Sequence, residues 1–217
     1  MIALTKRFFL ALTLMAFCVA SAQAGPEEDL LQYVDDNTQQ LVDQLNAERG
    51  LYERDPEAFY KNMDDALDGF VDFRRIAARV MGRYARQTTP EQRDEFVVKF
   101  KRSLFDSYAQ ALVSAEDFKI KVNDATINPQ DDNRASVTME VITASGNRHS
   151  VTYSMYRKAD SDWMMENVIV EGVNIGLSFR DRFTQEMEAS RGQLQVVIDG
   201  WSDAVKSFNL ENEVNKS

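Results

Sequence analysis

Cysteine is almost missing from this chain, and histidine with it. Cys18 is the single cysteine and His149 the single histidine of 217 residues. One cysteine allows no intramolecular disulfide and no thiolate metal cluster. One histidine leaves no base for a Ser-His-Asp arrangement beyond His149 itself, which falls on a strand edge beside a turn, where a solvent-exposed imidazole is expected. Phosphate-binding glycine loops, the G-x-S-x-G elbow, G-x-G-x-x-G and H-E-x-x-H are all absent. Four prolines and nine glycines leave little room for a low-complexity linker, and there is no internal repeat. The carboxylate pairs Asp35-Asp36 and Asp64-Asp65 fall on predicted helices, where adjacent residues do not face the same way. Asp131-Asp132 reads as a turn signal without the spacing of a calcium loop.

Long apolar runs are also scarce, with one exception. Lys6 and Arg7 precede an apolar stretch from Phe8 to Ala20, followed by Ala22-Gln23-Ala24 and then Gly25-Pro26. A charged start, a short apolar centre and an A-x-A end form a secretory signal. The run is shorter than the roughly 20 residues that span a bilayer. Phe17 stands before Cys18, where a lipoprotein signal needs a small residue, so Cys18 belongs to the discarded segment. We therefore expect a cleaved signal over 1-24 and a single mature domain over 25-217, without cysteine and without a membrane span. A domain of this size buries about 70% of its unfolded surface and can rely on its core.

Charge of one sign predominates. The mature part carries 23 basic against 35 acidic residues, a net of −12. Such a chain is repelled by nucleic acid and by anionic membrane surfaces. The distribution is uneven. Residues 25–72 hold 14 acids against Arg49, Arg54 and Lys61, while 73–102 hold nine bases against Glu91, Asp94 and Glu95. The basic stretch fits first an ordinary solvated helix surface, with a positive face for an anionic group or an acidic partner as the alternative.

Periodicity then orders the chain. Leu30, Leu31, Val34, Thr38, Leu41, Val42 and Leu45 recur at helical spacing, and Gly50 is expected to end that helix. Asp55-Pro56 opens a second helix through Phe59, Met63, Leu67 and Phe70; a third runs from about Phe73 to Tyr84. Thr88-Thr89-Pro90-Glu91 starts a long helix reaching about Val113. After Asp117 the period changes to two, giving strands around Phe118–Val122, Ala135–Val141, Val151–Met155 and Trp163–Val170. A connecting segment leads to a helix containing Phe183 and Met187, and a last helix runs from about Gln193 to Phe208. The expected fold class is α+β: a four-stranded antiparallel sheet, with mainly helical residues 25-113 before it, sheet over 117-171 and helices over 173-208 after it. Ten Phe, seven Met and two Trp in the mature part suit a dense core; they also suit an apolar cavity between helices and a curved sheet, since Met adapts to irregular contents.

Two segments carry a resemblance. One is Val71-Asp72-Phe73-Arg74-Arg75-Ile76-Ala77-Ala78-Arg79-Val80-Met81-Gly82-Arg83-Tyr84 with Thr89-Pro90-Glu91-Gln92; the other runs from Trp163 through Asn167 to Arg180 and includes V-E-G-V-N-x-G-L-x-F-R. Both resemble the MlaC/toluene-tolerance auxiliary family of Gram-negative bacteria, over nearly all of the mature chain. The resemblance implies a periplasmic phospholipid carrier with no enzymatic activity and no cofactor, its cargo a phospholipid, and an NTF2-like character in which helices and sheet enclose the acyl chains. It implies as partners an inner-membrane MCE-domain protein of an ABC transporter and an outer-membrane lipoprotein–porin complex, with the carrier a monomer that touches membranes only transiently. Candidate lipid-binding residues are Phe73, Ile76, Val80, Met81, Phe100, Leu104 and Tyr108 from the helices. Val137, Met139, Val141, Val151, Tyr153 and Met155 are candidates from strand faces, and Ile169, Val173, Ile175 and Phe179 complete the set.

Overall fold

The computed structural model describes residues 25–114, 118–158 and 161–206, with the helical backbone alone over 108–114. The signal segment 1-24 and the polar tail after Phe208 lie outside the described residues. The element order is α1 (Pro26–Arg54), α2 (Pro56–Leu67), α3 (Phe73–Met81), α4 (Pro90–Ser114), β1 (Phe118–Asn128), β2 (Asp131–Thr143), β3 (Arg148–Tyr156), β4 (Met164–Val170), β5 (Val173–Asn174), α5 (Ile175–Ala189) and α6 (Leu194–Lys206). The fold is α+β, as the change of period at residue 117 predicts.

Short polar side chains start most of the helices. Asp55 accepts from the Ala58 N–H at 3.1 Å, Asp72 from Arg75 at 2.8 Å and Asn174 from Leu177 at 3.0 Å. Thr89 and Gln92 close a reciprocal capping box, 3.2 and 3.1 Å. Three expectations need correction. Gly50 does not end α1, which continues to Arg54; a single helix-interior glycine costs only about 1 kcal/mol and is outweighed by packing on both sides. The third helix stops at Met81, because Gly82 takes φ +55°, and a 3₁₀ turn continues to Arg86. The sheet has five strands, not four. Glu171 and Gly172 both take positive φ, 49° and 82°. This is the backbone of a tight primed hairpin turn. It folds Val173–Asn174 back on Val170–Ile169 before α5 begins.

The sheet is an antiparallel meander in the order β1-β2-β3-β4-β5. Its register places Val122, Met139, Val151 and Val170 in one cross-strand row and Ile120 beside Val141 in the next. The residues of this face alternate with exposed ones, so one face is apolar. The first turns of α1 press Leu30 and Val34 onto it, and with Phe70, Val71, Val137, Met139, Val151, Met155 and Trp163 they form one core. A second core lies among the helices. Trp201 is fully buried there, with the rings of Phe96, Phe100, Phe179 and Phe183 centred 5.2 to 6.5 Å away. A third, small cluster joins Leu45, Phe59 and Tyr60 at the α1–α2 corner.

Candidate functional site

The apolar face of the sheet is longer than the packed part of α1. Beyond Val34 the helix continues over Ile120, Val141 and Tyr153 without filling the space between. Thr38, Leu41, Val42 and Leu45 from α1, Met63 and Leu67 from α2 and Phe105 from α4 face Phe118, Ile120, Val141, Thr143 and Tyr153 of the sheet across a cavity of about 610 Å³. Its rim includes Ala144 and Ser145 of the β2–β3 turn. That volume is within the range of about 300–1,000 Å³ typical of small-molecule sites. None of the described lining residues carries a charge.

Thr38, Thr143, Ser145 and Tyr153 supply the polar atoms of the lining. The buried Thr38 hydroxyl faces the Tyr153 phenol without closing a hydrogen bond of ordinary geometry. Burial pushes the Tyr153 phenol up from its ordinary value, against a smaller opposite effect of Thr38, so the ring stays neutral at physiological pH. The wall is thus suited to hydrocarbon and unsuited to an ion.

The sequence candidates divide by place. Val141 and Tyr153 line the cavity. Val137, Met139, Val151 and Met155 share the same sheet face but are packed under α1, and Phe73 and Ile76 lie half-buried where the sheet and helical cores meet. Val80, Met81, Phe100, Ile175 and Phe179 are in the helical core, with Leu104 and Val173 packed against it. Ile169 is half-buried in β4. The Tyr108 side chain lies outside the described residues. Leu41, Val42, Leu45, Met63, Leu67, Phe105, Phe118 and Ile120 line the cavity without having been candidates. The signal was present as apolar stripes on α1 and α2 and as the alternation of β1, while Phe105 of α4 had none; what such patterns do not reveal is where a helix stops touching the sheet.

The segments carrying the resemblance lie elsewhere. Ile76, Ala78, Arg79 and Gly82 from the first meet Glu166, Asn167, Asn174, Gly176, Leu177 and Arg180 from the second around a cleft of about 460 Å³. Glu166 is buried, and Arg75, Arg79 (2.9 Å) and Arg134 (2.6 Å) all pair with it. Among the described residues there is no group of three metal-ligating side chains, and no helix is long and apolar enough to cross a membrane.

Comparisons place this architecture. The profile of the family described as MlaC protein matches residues 35–203. A toluene tolerance protein, ttg2D, of Pseudomonas putida is 35% identical over 206 residues, covering 94% of this chain and 93% of its own. The intermembrane phospholipid transport system binding protein MlaC of Haemophilus influenzae is 26% identical over 177 residues, covering 78% and 80%. A phospholipid-binding protein from Ralstonia solanacearum, solved in complex with a phospholipid, shares the fold with a TM-score of 0.71 at 19% identity, over 82% of this chain and 96% of that one. On the family match and the Pseudomonas relative, this chain belongs to the MlaC family.

Proposed function

We propose that the protein is a water-soluble periplasmic phospholipid carrier, moving lipid between the outer and inner membranes as part of an ABC-transporter system and performing no catalysis. The observation that carries this reading is the uncharged cavity between α1, α2 and the sheet. A diacyl lipid exposes about 30 methylenes, and at roughly 0.8 kcal/mol each their transfer into water costs on the order of 20 kcal/mol. Only an enclosed apolar volume offsets such a term. The names of the Haemophilus and Ralstonia relatives, both tied to phospholipid, support the same cargo.

The space of about 610 Å³ is of a size to hold acyl chain, and outward movement of α1 and α2 would enlarge it. With no charge in the lining, head groups are to be placed at the Ala144–Ser145 rim and selected weakly. The partners implied by the family, an MCE-domain protein and a lipoprotein–porin complex, then serve to open and close this space. Native mass spectrometry of the protein purified gently from the periplasm tests the reading. The expected spectrum shows added masses equal to phospholipids of the host membrane; a spectrum of the bare chain alone contradicts it and favours an adaptor without cargo.

A further inference from the structure

The polar atoms of the acyl cavity are of two kinds. At the rim, the hydroxyls of Thr143 and Ser145 bond each other at 2.8 Å, and the Thr143 hydroxyl also accepts from the Asn147 N–H at 3.1 Å. Thr38 has no such partner. It is 2% exposed, and its hydroxyl oxygen closes no hydrogen bond of ordinary geometry. A threonine inside a helix can bond back to the carbonyl four residues earlier. Thr38 leaves that bond unmade.

What the Thr38 hydroxyl faces is the Tyr153 phenol. Two hydroxyls carry two O–H donors and can spend only one on each other. One donor is left over, in a wall without charge. The pair lies at the inner end of the cavity. Val34, one turn before Thr38, is fully buried; so is Val137, the register partner of Tyr153; and the Phe70 ring is centred 6.1 Å from that of Tyr153. Thr143 at the rim is six residues along β2 from Val137, about 20 Å at the rise of a strand. A chain entering at the rim thus brings its far half to Thr38 and Tyr153. A plain methylene chain leaves the spare donor unsatisfied there, which costs binding. A carboxylate or phosphate would find no counter-charge. A hydroxyl accepts from the spare O–H and donates back to the open lone pairs of the pair.

We propose that Thr38 and Tyr153 form a seat for a hydroxyl borne in the far half of a hydrocarbon chain, so that the carrier takes hydroxylated acyl chains in preference to plain ones. The inference rests on the reading of this cavity as the acyl space.

Vesicles holding equal amounts of dioleoyl and diricinoleoyl phosphatidylethanolamine provide the test, since the two lipids differ by a hydroxyl in the far half of each chain. The full protein is incubated with them, separated and read by native mass spectrometry. The ratio of the two bound lipids is taken within one spectrum, so total loading does not enter. A second vesicle pairs the dioleoyl lipid with a counterpart hydroxylated beside the ester. The wild type is expected to enrich the ricinoleoyl lipid about threefold to tenfold, the span of one net hydrogen bond, and to show no enrichment in the second vesicle. Thr38→Val keeps the shape without the hydroxyl and should bring the ratio close to one. Tyr153→Phe, which removes the other hydroxyl, should lower it as well. Binding of both lipids without preference, enrichment that survives in both variants, or equal enrichment of the lipid hydroxylated beside the ester would each overturn the seat. A wild type that takes up neither lipid would overturn the carrier reading and the seat together.

Discussion

Two apolar residues on the same face of β2 separate packing from cargo. Met139 is 1% exposed and sealed beneath Leu30 and Val34, whereas Val141, one pleat further along, faces the cavity. Met139→Ala should therefore cost about 2–5 kcal/mol of stability, the range for buried large-to-small changes. Below the melting transition it should leave bound lipid unchanged. Val141→Asp should do the opposite: it puts a charge where acyl carbon belongs, and bound lipid per chain should fall about tenfold, with only a modest shift in melting temperature. Thermal melts with lipid quantitation on the folded fraction check both; equal lipid content in wild type and Val141→Asp would remove β2 from the cavity wall. From sequence, Met139 and Val141 are the same alternating apolar residue. Only the position of α1 above each tells them apart.

At the scale of elements, α1 is both core and wall. Its first turns are packed on the sheet and its later turns line the cavity, in one helix of 29 residues that passes through Gly50. The helix itself was legible from its stripe, but its change of role was not, since Thr38, Leu41 and Leu45 continue the same spacing as Leu30 and Val34. The short strand β5 was not legible, because two residues carry no period; its only trace was Gly172. The uneven charge also resolves here. Arg102 makes a two-pronged pair with Glu57 of α2, 2.7 and 2.8 Å, and Lys101 reaches Asp64 at 2.5 Å. Part of the basic stretch thus holds the acidic α2 in place over the cavity, together with the Tyr60–Phe105 ring stack at 5.6 Å. These pairs are largely exposed and screened by salt. Arg102→Ala should accordingly speed the exchange of a fluorescent phospholipid into the protein severalfold, and raised ionic strength should speed the wild type more than the variant, which keeps the Lys101–Asp64 pair. Exchange rates identical in both at all salt concentrations would exclude α2 as the moving part.

For the whole molecule, sequence and structure assign the same components to different places. The α+β order, the antiparallel meander and most helix starts follow from period and capping. The segments that carry the resemblance do not line the cavity; they build the cleft between α3, α5 and β4, where Glu166 and Asn167 sit in fixed hydrogen-bonded geometry, whereas an apolar cavity needs only bulk. The cavity under α1 and the cleft on α3 and α5 share no lining residue. The central claim is that acyl chains occupy the space under the second half of α1. Intermolecular NOEs between a bound phospholipid and methyl-labelled protein test this most directly. The account predicts acyl contacts to Leu41, Val42, Leu45, Met63, Leu67, Ile120 and Val141, and none to Val80, Val197 or Ile198 of the helical core. Acyl contacts confined to the helical core, or to the Arg79–Arg180 cleft, would contradict it.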